Sequence, residues 1–129
     1  MQVLASRVLL RPLDFDASVG FYERCLGLVR FRDWGDAPYR GVVYFLGGGY
    51  LELTEGGGHR SPAHDVRLWL QVADAQAARE ELAAAGVAIV EEPERKPWGL
   101  IEFIVRDPDG LALVVVETPV THPLRRRQA

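Results

Sequence analysis

The chain has 129 residues, of which 48% are hydrophobic, so length and composition indicate one compact domain with a substantial core. The formal net charge of −3 argues against a nucleic-acid-binding protein, and no apolar run reaches the roughly 20 residues that a membrane-spanning helix needs. Cys25 is the only cysteine, which excludes an internal disulfide and fits a reducing, cytoplasmic environment.

The first half of the chain predicts one strand, then one helix, then three further strands. The helix is predicted from a cap at Asp14 to about Leu26, because Asp is a favoured N-cap and Gly27 can end the helix. The strands are predicted at residues 3–10, 28–34, 39–46 and 50–55.

The last of these strands contains a carboxylate in an unusual place. Because side chains alternate along a strand, Leu51 and Leu53 are expected to face a core, while Tyr50, Glu52 and Thr54 face the other way. A carboxylate in the middle of such a strand is expensive to bury unless it has a partner. Glu52 is therefore the starting point for a functional site.

A Gly- and Pro-rich linker at 56–65 separates this half from a second one with the same pattern. Asp74 is predicted to cap a helix that runs to Ala85, and Gly86 follows it. Strands are predicted at residues 66–72, 87–91, 100–106 and 111–117, with a tail at 119–129.

The two halves are related by a nearly constant offset. Arg7 and Arg67 stand 60 positions apart, and so do Asp14 and Asp74. This spacing indicates an internal duplication of a β-α-β-β-β module. The predicted fold class is thus α+β, with module one at 3–55 and module two at 66–118.

Three sequence features resemble the vicinal oxygen chelate superfamily. They are the segment 14–22, the Leu26-Gly27-Leu28 tripeptide after it, and the Asp107-Pro108-Asp109-Gly110 turn, in the order of two tandem modules. That superfamily includes glyoxalase I, extradiol dioxygenases, fosfomycin-resistance enzymes and bleomycin-resistance proteins. The resemblance implies a glyoxalase/bleomycin-resistance fold whose curved mixed sheets form a cavity, but it leaves the activity open, since one fold hosts many functions.

The resemblance also implies where a metal would bind, on the first and last strand of each module. In this chain those positions are Arg7, Glu52, Arg67 and Val114. Arginine stays protonated and has no lone pair to donate, and valine has no donor atom. Only Glu52 is a plausible ligand, and one carboxylate is not enough for a divalent metal. We therefore expect no metal and no cofactor.

Three roles stay open for Arg7, Glu52 and Arg67. They can form a structural ion pair in place of a metal site. The second guanidinium can instead hold a carboxylate, phosphate or phenolate of a ligand. Glu52 can also act as a general base that abstracts a proton next to a carbonyl. In related dimers the first and second modules that face one cavity often come from different chains, so the resemblance implies a homodimer.

Aromatic side chains are the other candidates for a ligand site. Trp69 shares its predicted strand face with Arg67, Trp98 lies in the loop before a strand, and Tyr44 and Tyr50 lie near Glu52 in sequence or by face. Aromatic walls suit planar ligands, although the same residues can also be core or dimer contacts. The position of Trp98 resembles the loop tryptophan of metal-free antibiotic-binding members of the superfamily.

The histidines are weaker candidates. His59 and His64 lie in the linker and His122 lies in the tail, so solvated loop histidines are favoured over a zinc site with Glu52. Cys25 is expected to be a half-buried helix residue without a base to activate it.

Taken together, the sequence predicts a metal-independent protein that binds an aromatic or anionic small molecule, without nucleic-acid or membrane partners. Sequestration of an antibiotic or a secondary metabolite is the concrete form of this prediction. The alternative is a lyase or isomerase that uses Glu52 as its base, and a metal-dependent glyoxalase or dioxygenase ranks third.

Overall fold

The structure, a computed structural model, describes residues 1–56 and 66–123. The chain divides into two compact units, Met1–Ser61 and Pro62–Ala129, and the division falls within the predicted linker. None of the helices in the described ranges is long and apolar enough to span a membrane.

The described part of the first unit contains four strands and one helical segment. The helical segment begins as α1 (Phe15–Val19) and continues as a π-helix at Gly20–Cys25. Its predicted cap is present, since Asp14 Oδ1 accepts a hydrogen bond from the Ala17 amide at 3.0 Å. The strands are β1 (Arg7–Leu10), β2 (Arg30–Trp34), β3 (Gly41–Leu46) and β4 (Gly49–Thr54).

These strands form one mixed sheet in the order β1-β4-β3-β2, with β1 parallel to β4. Leu51 and Leu53 of β4 are completely buried, together with their partners Tyr44 and Val42 of β3. They lie on the side of the sheet that the helical segment covers, as the alternation of β4 predicts. Glu52 therefore lies on the side that this helix leaves uncovered.

The second unit repeats this arrangement. Its elements are β5 (Arg67–Val72), α2 (Ala75–Ala84), β6 (Glu91–Arg95), β7 (Ile101–Arg106) and β8 (Ala112–Glu117), and its sheet order is β5-β8-β7-β6. Asp74 caps α2 through the Ala77 amide at 3.0 Å. Asp107 Oδ1 accepts hydrogen bonds from the amides of Asp109 and Leu111, both at 2.9 Å, and so fixes the predicted turn.

One strand prediction is wrong. The strand predicted at 87–91 is found at Glu91–Arg95, where a loop was expected. Proline is tolerated in a strand that has only one neighbour, and β6 is an edge strand that contains Pro93. A register shift between Glu91 and Glu94 accompanies it, so neither alternation nor hydrophobicity marks this strand in the sequence.

The two halves also share their strand register. Leu9 lies opposite Glu52 in the parallel pair of the first unit, and Trp69 lies opposite Val114 in the parallel pair of the second. The α+β fold and the correspondence of position 52 with position 114 are thus confirmed.

Candidate functional site

Glu52 forms an ion pair with Arg7, which partners its carboxylate. Arg7 Nη1 donates to Glu52 Oε1 at 2.9 Å, across the parallel pair β1 and β4. The side chain of Glu52 is 15% exposed and that of Arg7 is 36% exposed, so the pair is partly shielded from water. Such shielding strengthens the interaction beyond that of a fully solvated ion pair.

Three aromatic rings continue the surface beside this pair. Arg7 Cζ lies 5.6 Å from the centroid of the Tyr50 ring, within cation–π range. The Tyr50 centroid lies 5.3 Å from that of Phe31 and 5.9 Å from that of Phe45. We call Phe31, Phe45 and Tyr50 the aromatic cluster. Phe31 is 47% exposed and Phe45 is 44% exposed, which leaves a sizeable apolar surface uncovered.

The strand register explains how the cluster forms. Phe45 lies directly opposite Tyr50 in the antiparallel pair β3 and β4. In β2 the register shifts between Arg30 and Arg32, and Phe31 at this irregularity contacts both other rings. Phe31 and Phe45 were not among the residues predicted from the sequence. The alternation of β3 could have revealed Phe45, which must face opposite to a buried Tyr44.

The placement of Tyr44 corrects the prediction that it lies by Glu52. Tyr44 is completely buried on the helix-covered side of the sheet, opposite Leu51. Burial raises the pKa of Tyr44 to about 12, and the nearby Glu23 carboxylate adds to that rise. Tyr44 and Glu52 lie on neighbouring strands, so the pairing register decides whether their side chains share a side of the sheet. Tyr44 pairs with Leu51 and therefore faces away from Glu52.

Trp34 and Arg32 extend the Glu52 side of the sheet toward its β2 edge. Arg32 Cζ lies 5.0 Å from the Trp34 ring centroid. A Cβ at Gly41 would overlap the Trp34 indole, which therefore packs directly on the glycine backbone. Trp34 thus has a clear structural role in pairing β2 with β3.

In the second unit, the corresponding side of the sheet carries Arg67, Trp69 and Val114. Trp69 is 51% exposed. Val114 is buried in an apolar group with Leu100, Val116 and Ile104. Arg67 has no ion pair among the described residues of its own unit. Its predicted pairing with Glu52 of the first unit stays a prediction.

Trp98 is also held in a defined position. Its Nε1 donates to Glu102 Oε2 at 2.7 Å, and its carbonyl oxygen lies 3.1 Å from the His122 ring nitrogen Nε2. Trp98 is 58% exposed in spite of this bond. The predicted loop tryptophan is therefore anchored through its nitrogen, and part of its ring is accessible.

The residues at the four expected metal positions do not fit a divalent cation. Arg7 occupies one oxygen of Glu52, and Arg67 and Val114 have no lone pair to offer. Within residues 1–56 and 66–123, no group of three or more His, Cys, Asp or Glu side chains could hold a metal. The predicted linker histidines, His59 and His64, lie outside the described residues.

Comparisons with known proteins agree with this architecture. A protein from Vibrio cholerae serotype O1 named probable lactoylglutathione lyase is 27% identical over 125 residues, which cover 88% of this chain and 90% of that protein. A solved member of the glyoxalase/bleomycin resistance protein/dioxygenase superfamily from Sphaerobacter thermophilus is 25% identical with a TM-score of 0.71, over 90% of this chain and 98% of that one.

A third similarity supports the fold alone. TioX from Micromonospora sp. ML1 is 23% identical with a TM-score of 0.74, over 89% of this chain and 98% of that one. The family model of the Glyoxalase/Bleomycin resistance protein/Dioxygenase superfamily matches residues 5–115, which include both modules almost entirely. The chain therefore belongs to the Glyoxalase/Bleomycin resistance protein/Dioxygenase superfamily.

Proposed function

We propose that this chain is a metal-independent small-molecule-binding member of the superfamily, and that the Glu52 side of the first unit contacts the ligand. The observation that supports this most is the aromatic cluster, which is exposed and continues directly into the Arg7–Glu52 pair.

Physical chemistry favours binding at such a surface. Binding is favourable when a flat apolar ligand covers exposed aromatic rings, because their apolar surface is then removed from water. A few polar groups at the edge of an aromatic surface then fix the orientation of the ligand. Arg7 and Glu52 stand at that edge, next to Tyr50.

The second unit has exposed aromatic side chains of its own. Trp69 and Trp98 are each more than half exposed, although Trp98 is already fixed by Glu102. The exposed rings of the aromatic cluster favour a planar ligand, such as an antibiotic or a secondary metabolite that the protein sequesters. As part of this proposal the working form is a homodimer.

A fluorescence titration with EDTA-treated protein tests the proposal. A panel of planar polycyclic compounds, both neutral and anionic, is added while tryptophan emission is recorded. We expect saturable quenching by at least one compound, and weaker affinity in Phe45→Ala because one wall of the cluster is lost. Tyr39→Ala is the matched control, because Tyr39 is 76% exposed but lies in the loop before β3. Absence of saturable quenching across the panel would overturn the proposal.

A second candidate is an enzyme of the lyase or isomerase type. The relative named probable lactoylglutathione lyase favours it, as does the carboxylate of Glu52, since only Oε1 is bound by Arg7. Oε2 could accept a proton from a carbon next to a carbonyl, as general bases do. Under this alternative Glu52→Gln abolishes turnover and leaves ligand affinity intact, whereas loss of affinity with unchanged turnover would contradict it.

A further inference from the structure

The Arg7–Glu52 pair does not use all of its hydrogen-bonding capacity. A guanidinium carries five N–H groups and a carboxylate carries two acceptor oxygens. One of these donors, on Nη1, binds one of the acceptors, Oε1. Within the described residues of the first unit, neither side chain makes another hydrogen bond. The pair therefore presents unused N–H donors beside one unused acceptor, Oε2.

The position of the pair decides what these groups can meet. Arg7 Cζ lies 5.6 Å from the Tyr50 ring centroid, and Tyr50 contacts the other two rings of the aromatic cluster. A flat molecule that covers the cluster brings its edge toward Arg7 and Glu52. The chemical group on that edge of the ligand is therefore the one that contacts Arg7 and Glu52 and determines specificity.

Charge limits which edge fits. Arg7 and Glu52 neutralise each other, so the pair offers no net charge to an approaching ion. A ligand carboxylate attracted by Arg7 is repelled by Glu52 at nearly the same distance. A ligand cation is likewise attracted by Glu52 and repelled by Arg7. An uncharged edge with an N–H next to a C=O satisfies Oε2 and the guanidinium together.

From these observations we infer that the ligand of this site is an uncharged planar ring system whose edge carries an N–H adjacent to a carbonyl, as in a cyclic amide. This inference rests on the proposed binding function and narrows its ligand from aromatic or anionic to aromatic and neutral. A carboxylate or phosphate on the same edge is disfavoured.

Three compounds of nearly equal shape test the inference by isothermal titration calorimetry. Carbostyril has the fused rings and the cyclic amide, N-methylcarbostyril lacks the N–H, and quinaldate replaces the amide with a carboxylate. We expect the wild-type protein to bind carbostyril about tenfold more tightly than either of the others, because each of them leaves a polar group of the site unpaired.

Glu52→Gln should shift this preference toward the anion. The substitution leaves Arg7 without its neutralising charge, so quinaldate affinity is expected to rise and carbostyril affinity to fall or stay level, moving their ratio about tenfold. Glu92→Gln is the matched control. It removes the same charge from the ion pair between Arg79 of α2 and Glu92 of β6, in which Arg79 Nε lies 2.8 Å from Glu92 Oε2.

The outcomes separate this inference from the function on which it rests. Tighter wild-type binding of quinaldate, equal binding of N-methylcarbostyril, or an unchanged ratio in Glu52→Gln overturns the inference, while the binding function stands because a planar compound still binds. Failure of every planar compound to bind overturns both.

Discussion

Arg40 shows how one side chain connects separate parts of the first unit. Its Nη2 and Nε bind Glu55 at 2.6 and 2.8 Å, and its Nη1 donates to Asp16 at 3.0 Å. Its Cζ also lies 4.8 Å from the ring centroid of Phe15, the first residue of α1. The hydrogen bonds from Arg40 lower the pKa of Glu55. Arg40 thereby holds the start of the helix against the end of β4.

This arrangement predicts that the stability of the protein depends on pH through Glu55. A carboxyl whose pKa is lower in the folded than in the unfolded state stabilises the fold above its unfolded value, which is 4.5 for Glu55. That stabilisation is lost as the pH falls through the lower, folded value. Arg40→Met should therefore lower the urea midpoint at about pH 7 and have a smaller effect at about pH 3. An equal loss at both pH values would contradict this account.

Tyr44 gives a second prediction for a single residue. Because it is completely buried away from Glu52, Tyr44→Phe should change the free energy of unfolding by less than about 1.5 kcal/mol and leave ligand affinity unchanged. Tyr44→Ala should lower the free energy of unfolding by about 3–5 kcal/mol because it opens a cavity in the core. Urea denaturation and calorimetric titration measure the two effects. Weaker ligand binding in Tyr44→Phe at unchanged stability would show that Tyr44 reaches the site.

Single residues also mark the limit of what the sequence predicts about the site. The Arg7–Glu52 pair could be predicted because a carboxylate between two leucines needs a cation, and because the resemblance to the superfamily implied that Arg7 and Glu52 share one site. Phe31 could not be predicted, because its contact with the other rings depends on the register shift in β2. Such a shift depends on the partner strand and leaves no local pattern.

At the scale of elements, capping residues and turns were more informative than hydrophobic runs. Asp14 and Asp74 mark the starts of both helices correctly, and the turn at Asp107 is fixed as its residues predict. The polar edge strand β6 was misplaced because its residues carry neither alternation nor a hydrophobic face. Local chemistry thus identifies where elements begin, while pairing decides which polar segments become strands.

The contact between β2 and β3 gives a prediction for these elements. Gly41→Ala should lower the free energy of unfolding by about 1–3 kcal/mol, because the added methyl group overlaps the Trp34 indole. In a double-mutant cycle with Trp34→Ala, the two losses should add to more than the loss of the double variant. Strict additivity would mean that the methyl group does not meet the indole.

For the molecule as a whole, the internal repeat predicted most of the fold. Two modules and their order of elements follow from the offset of about 60 residues. The correspondence of Glu52 with Val114, which are 62 positions apart, was implied by the resemblance and is matched by the strand register. What the repeat cannot predict is chemistry, since the same position holds a carboxylate in one half and a buried valine in the other.

This chemistry predicts the response of the whole protein to metal removal. Because the four expected metal positions do not fit a cation, EDTA should change neither the melting temperature nor the affinity for a planar ligand. Elemental analysis of the purified protein should find less than one Zn, Ni, Mn or Fe per chain. A stoichiometric metal, with a drop in melting temperature on its removal, would contradict the prediction.

The shared register of the two sheets has an evolutionary consequence. Each half has an arginine at the start of its first strand, Arg7 or Arg67, but the position on the last strand that carries Glu52 in one half carries Val114 in the other. One codon change, Val114→Glu, would give Arg67 the acid that Arg7 already has. Within the described residues, the protein thus has the same strand register twice, with an ion pair at this position in the first unit and none in the second.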